Sequence, residues 1–205
     1  MLRLLTILCS TFVLLLDSTG GWCADFQKGL NAYRSGDYAT ALREFRPLGE
    51  QGNDFAQFSM GVMYENGLGV TENNEEAVKW YKRAAEQGNA RAQNNLGVMY
   101  DHGEGVPEDY QEAAEWFRLA AEQGLTEANV RLGILLMVGD GVEQDQRKAV
   151  EWFRKAAEGG DAFGQLYLGQ AYEHGKGVKK DPVQAVKWQT LAAEQNLSQS
   201  LLEMA

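Results

Sequence analysis

Four of the five tryptophans in this 205-residue chain, Trp80, Trp116, Trp152 and Trp188, stand 36 residues apart. A large apolar residue recurring at a fixed period marks a repeat array, in which each unit buries its core against the next. Other columns keep the same step. Gly61, Gly97, Gly133 and Gly169 do so, as do the Gly-x-Gly pairs beginning at Gly67, Gly103, Gly139 and Gly175. Ala77, Ala113, Ala149 and Ala185 precede each tryptophan by three residues, and a pair of alanines follows it. No insertion breaks the register, so the units are 53–88, 89–124, 125–160 and 161–196.

Each unit carries two helical patterns. In the second unit Ala92, Leu96, Gly97, Met99 and Tyr100 fall on one face of a first helix. Gly103 ends it, in the left-handed conformation that glycine adopts without penalty. A second helix follows the Gly103–Glu108 loop. Its N-cap column reads Asn73, Asp109, Asp145 and Asp181, with Asp37 one step earlier. Glu76 and Glu112, three residues after their caps, complete a capping-box pattern. Ala113, Trp116, Phe117, Ala120 and Ala121 then form a broad apolar stripe. The tryptophans are expected to fill the space between helices, and Trp116→Ala to cost about 3–5 kcal/mol.

The N-terminus has the layout of a secretory signal peptide: Arg3, an apolar run from Leu4 to Leu16, then small and polar residues ending at Ala24. Cleavage after Ala24 is expected, with a retained signal anchor as the alternative because Trp22 is large for its place. Both cysteines, Cys9 and Cys23, precede the cut, so the chain from 25 onward holds no disulfide or reactive thiol. The removed piece carries one positive and one negative residue, Arg3 and Asp17, and leaves the net charge at −10. That charge, with no cluster of Lys and Arg, argues against nucleic acid and anionic lipid as partners.

The string Ala92, Leu96, Gly97, Tyr100, Gly103, Gly105, Val106, then Ala113, Trp116, Ala120-Ala121-Glu122-Gln123-Gly124, resembles the Sel-one-like repeat, a subclass of the tetratricopeptide repeats. Four copies cover 53–196, and 25–52 resembles a shorter tetratricopeptide-type helix pair. The resemblance implies an all-α fold: a right-handed solenoid of paired antiparallel helices. The family's shared residues are packing residues and imply no activity. Cysteine-rich secreted relatives have been associated with penicillin binding or hydrolysis, but this chain lacks their cysteine pairs. Departures are local: Leu136 for tyrosine, Gly164 for alanine, Gln189 for an aromatic, and Asn196 for the closing glycine. Residues 197–205 are expected to form a short capping helix.

Chemistry-bearing motifs are sparse. His102 and His174 share a column 72 residues apart, which is not the spacing of a zinc site; they read as polar residues at a helix end. The Gly-x-Gly loops lack the Lys and Ser/Thr of a phosphate loop. Glu104, Glu108 and Asp109 do not match a calcium loop. No nucleophile–base pair is legible. The better candidates are first-helix positions that recur without repeating in identity. They are Phe55, Ser59, Val62 and Asn66; Arg91, Asn95, Val98 and His102; Glu127, Arg131, Ile134 and Val138; and Phe163, Tyr167, Gln170 and His174. In such arrays the first helices line the concave face, and this mix of aromatic, apolar and polar residues suits a protein or peptide surface.

The sequence therefore reads as an exported, periplasmic or secreted, non-enzymatic scaffold that binds protein or peptide on its concave face without a cofactor. A secreted hydrolase acting on cell-envelope material and a host-facing effector or adhesin are the alternatives. Oligomeric state is not encoded in any motif.

Overall fold

The computed structural model describes residues 26–203, so the expected leader, 1–24, lies outside the described residues. Among them are ten helices and no strand. The chain divides into two compact units, one ending at Gln87 and one beginning at Gly88. The first holds α1 (26–34), α2 (Tyr38–Glu50), α3 (Asp54–Glu65) and α4 (Asn74–Glu86). The second holds α5 (Ala90–His102), α6 (Tyr110–Glu122), α7 (Thr126–Val138), α8 (Gln146–Glu158), α9 (Ala162–His174) and α10 (Pro182–Glu203). Both are built of consecutive antiparallel helix pairs, the all-α solenoid class that the sequence implies.

The second-helix caps are as the sequence predicts. Asp37, Asn73, Asp109, Asp145 and Asp181 each accept a backbone N–H of the following first turn. Glu76, expected to complete a capping box, turns instead to Lys79 at 2.5 Å. First helices have caps of their own at Asn53, Asn89 and Asp161. Gly103 ends α5 with φ 68°, and Gly139 and Gly175 do the same for α7 and α9.

The interior differs from expectation in one respect. Trp80 is buried, but Trp116, Trp152 and Trp188 are only half-buried. The fully buried rings belong to the next column: Tyr81, Phe117 and Phe153, with Phe45 one step earlier. Each lies over the glycine of its paired first helix. A Cβ at Gly29, Gly61, Gly97 or Gly133 would stand 2.5–2.6 Å from the ring of Phe45, Tyr81, Phe117 or Phe153. Glycine is required there for close approach rather than for backbone conformation. The reason is angular: adjacent helical residues point about 100° apart, so only one of two neighbouring aromatics can face the partner helix squarely.

A second layer of the core is polar. Gln57, Gln93, Asn129 and Gln165 are all buried. Gln57 Nε2 donates to Gly49 O of the preceding helix at 2.9 Å, and Gln165 Nε2 to Ala157 O at 3.4 Å. Their Oε1 atoms accept from Gln87 and Gln195 at the far end of the paired helix, and Gln93 accepts likewise from Gln123. These bonds give the buried polar ends of Gln57, Gln93 and Gln165 their partners.

Asn196, which replaces the closing glycine, does not stop the last helix. Residues 197–203 continue α10 as one helix in place of a separate capping helix, because no glycine intervenes to supply the left-handed stop.

Candidate protein-binding groove

Within the second unit, α7 and α9 run side by side as successive first helices. Toward their N-terminal halves lies a groove of about 280 Å³ lined by Glu127, Val130, Arg131, Ile134, Asp161, Phe163 and Tyr167. Five of these seven are among the positions singled out in the sequence. Helical spacing explains the gathering: 127, 131 and 134 share a face of α7, and 163 and 167 share a face of α9. Phe163 is 65% exposed. Tyr167 is anchored by stacking on Phe153, with ring centroids 5.1 Å apart and planes at 20°. The Arg131 guanidinium lies 5.7 Å from the Phe117 ring.

Beyond Tyr167 a second hollow of about 190 Å³ is lined by Met137, Phe153, Tyr167, Gln170, Ala171, His174 and Lys176. Tyr167 lines both. Taken along α7 and α9, the lining of the two hollows is chemically graded. Carboxylates of Glu127 and Asp161 stand at the helix N-termini, apolar and aromatic surface occupies the middle, and His174 and Lys176 stand at the other end. Asp161 also caps α9, accepting Gly164 N at 2.7 Å. His174 Nδ1 lies 2.9 Å from Gln170 O of its own helix. Val138 is exposed at the end of α7.

The remaining sequence-selected residues are placed elsewhere. On α5, Arg91 and His102 are exposed, Asn95 is half-buried, and Val98 packs against the α6–α7 core. His102 sits 3.3 Å from Asp101 and 3.9 Å from Glu104. Phe55, Ser59, Val62 and Asn66 lie on or at the end of α3 in the first unit. There Phe55 is 60% exposed and meets Phe26 edge-on at 6.3 Å. Ser59 Oγ and Asn66 Nδ2 bond to carbonyls of their own helix, as helical Ser and Asn often do.

Sequence reasoning passed over Val130, Asp161, Met137 and Lys176 as groove residues. Val130 and Met137 are apolar positions within α7, and Asp161 is the cap before α9. The position of Lys176 carried a signal, since the corresponding loop residues are Leu68, Glu104 and Asp140.

The Sel1 repeat profile matches residues 54–89, 90–125, 126–161 and 162–197, each one residue later than the units set out above. Among solved structures, a protective antigen of uropathogenic Escherichia coli with an SLR fold is 38% identical, with TM-score 0.81 over 87% of this chain. The chain spans 39% of that protein's length. A Sel1 repeat protein of Oxalobacter formigenes is 39% identical, with TM-score 0.78, over 83% of this chain and 70% of the other. Cysteine-rich protein B of Helicobacter pylori shares the fold at 22% identity and TM-score 0.50, over 62% of this chain and 92% of its own. No curated protein matches the chain.

Proposed function

From the premise that the chain belongs to the Sel1 repeat family, whose members generally mediate protein–protein interaction, we propose that it is a non-enzymatic scaffold holding a peptide segment of another protein along the α7–α9 groove. The observation that carries this reading is the convergence of Glu127, Arg131, Ile134, Phe163 and Tyr167 on one concavity. These residues change from unit to unit while the packing columns around them do not. A surface built from an invariant frame and variable positions can acquire specificity without cost to the fold. The exposed Phe163 ring and the stacked Tyr167 supply rigid aromatic contact, the type that dominates binding energy at protein interfaces. The groove needs no cofactor for this role.

The scaffold acts outside the cytoplasm in this reading. The n-, h- and c-region order of residues 1–24 supports export, as does the likeness to an antigen protein. Among the described residues no helix is long and apolar enough to cross a membrane.

Capture of partners on the purified protein from extracts of the native host, followed by measured affinity for the captured protein, tests the groove. Phe163→Ala/Tyr167→Ala should weaken binding by about 2 kcal/mol or more, the threshold for an interface hot spot. A partner that binds the double variant unchanged refutes the groove assignment. Cell fractionation tests export: recovery of the intact chain in the cytoplasmic fraction alone refutes it.

A further inference from the structure

The fourth unit reverses the charge of its connecting loop. Lys176 stands where the earlier units have Leu68, Glu104 and Asp140, and Lys179 where they have Thr71, Pro107 and Glu143. Lys180 completes the change, replacing Glu72, Glu108 and Gln144. This happens only after α9, in a chain whose net charge is −10. Lys176 and His174 line the hollow beyond Tyr167, and no carboxylate lines it. The other hollow has the opposite bias. Glu127 and Asp161 stand there against one cation, Arg131, whose guanidinium lies 5.7 Å from the Phe117 ring. Asp161 Oδ1 accepts Gly164 N, but among the described residues neither the Glu127 carboxylate nor the Lys176 ammonium has a partner.

These positions are open to solvent throughout the array. Phe55, Arg91 and Glu127, in the column of Phe163, are exposed, and each belongs to a unit followed by another. Asn66, His102 and Val138, in the column of His174, are exposed as well. Between the two charged ends the surface is aromatic and apolar, with Phe163, Tyr167 and Ile134. From Asp161, the cap of α9, to His174 at its end is about 20 Å at ~1.5 Å per residue. An extended chain covers that distance in about six residues.

We propose that the occupant of the groove is an extended peptide with one basic and one acidic side chain about six residues apart and apolar ones between. Its basic end lies at Glu127 and Asp161, and its acidic end at His174 and Lys176. This rests on the groove reading above and adds the chemistry of the occupant. Charge complementarity selects it. A wholly acidic peptide meets Glu127 and Asp161, a wholly basic one meets Lys176, and the dipolar peptide laid in reverse meets like charge at both ends. The aromatic middle supplies the holding contact, while the exposed charges fix which way the peptide lies.

Selection from a random peptide library displayed on phage, on the purified protein, tests the proposal. The wild type should enrich peptides in which a Lys or Arg and an Asp or Glu flank apolar residues at about six-residue spacing. Lys176→Glu should exchange the acidic residue for a basic one, and Glu127→Arg the basic residue for an acidic one, each leaving the other end unchanged. The second unit already carries these residue types at the equivalent positions, Glu104 and Arg91, so the fold accommodates both substitutions. A peptide selected on the wild type should bind Lys176→Glu about tenfold more weakly, a difference that shrinks in high salt. Peptides that require Phe163 and Tyr167 but carry no charge pairing, or that ignore both charge substitutions, overturn the proposal and leave the groove reading standing. A selection that yields nothing, or yields the same peptides on Phe163→Ala/Tyr167→Ala, overturns both together.

Discussion

α9 makes polar bonds at three positions, Asp161, Gln165 and Tyr172, and α7, the facing wall of the same groove, has none of the equivalents. At its start α9 is capped by Asp161, whereas Leu125 stands before α7 and offers no side-chain acceptor. One turn on, Gln165 reaches Ala157 O and accepts from Gln195. The α7 counterparts are Asn129, too short for the span, and Gly159, which has no side chain; the buried Oδ1 of Asn129 is left without a partner. Near its end α9 offers the Tyr172 hydroxyl to Arg154 at 3.1 Å. In α7 that place is Leu136, and Arg118 turns to Glu115 and Glu122 instead. Only α9 combines these bonds with Gly164, where a Cβ would stand 2.5 Å from that of Ala156. α7 instead packs Ile134, Leu135, Leu136 and Met137 in or against the core. Directional bonds set a helix in one place, whereas apolar contact is non-directional and tolerates small shifts. The groove thus pairs one pinned wall with one adjustable wall.

The largest test concerns Phe153, which both walls share: it lies over Gly133 of α7 and stacks on Tyr167 of α9. Phe153→Ala should destabilise the protein by about 3–5 kcal/mol in urea unfolding. Trp152→Ala, beside it and half-buried, should cost less; the reverse order would restore the tryptophan column to the role that the sequence suggested. Next comes the contrast between the two helix glycines. Gly133→Ala meets a rigid ring at 2.5 Å and should cost about 1–3 kcal/mol. Gly169→Ala meets Gln189 Cγ at 2.8 Å, with the Gln189 backbone N at 3.2 Å and Ala185 O at 3.3 Å behind it, and should still destabilise, though by less than the clash with a buried ring in the same measurement.

Repairing the α7 tie is a smaller effect of opposite sign. Asn129→Gln combined with Gly159→Gln should stabilise by about 1 kcal/mol, the net worth of a buried hydrogen bond. No gain, measured by the same unfolding, would mean that α7 is not loosely tied. The smallest effect is pH-dependent. Asp145, cap of α8, has its carboxyl held below the ordinary 3.8 by its bond from the Lys148 backbone N–H. A carboxyl lowered in the folded state contributes stability above its unfolded value and loses it as pH falls through the folded one. Acid titration should therefore show Asp145→Asn flattening the loss of stability below about pH 4.

Much of the frame was legible in the sequence, because packing columns repeat. The helix pairs, the loop glycines and the second-helix caps follow from the 36-residue register and elementary capping chemistry. The ring that faces inward was not legible. Two adjacent aromatic columns look alike in a repeat, and only the opposing glycine column distinguishes them. The Gln57, Gln93 and Gln165 column was readable in principle, since polar residues that recur with fixed identity, matched by Gln87, Gln123 and Gln195, point to a buried bond. The groove's variable residues were legible as a set, but not where they converge. Convergence depends on how α7 and α9 lie beside one another, which no column encodes.

In the proposed reading the variable faces of α7 and α9 together hold the partner. Hydrogen exchange of the protein alone and with its captured partner probes both faces at once. Slowed exchange should concentrate on 127–138 and 163–174, and it should be greater on α7, the wall with more freedom to lose. Slowing confined to α6 and α8, or absent from α7, would refute that placement of the partner.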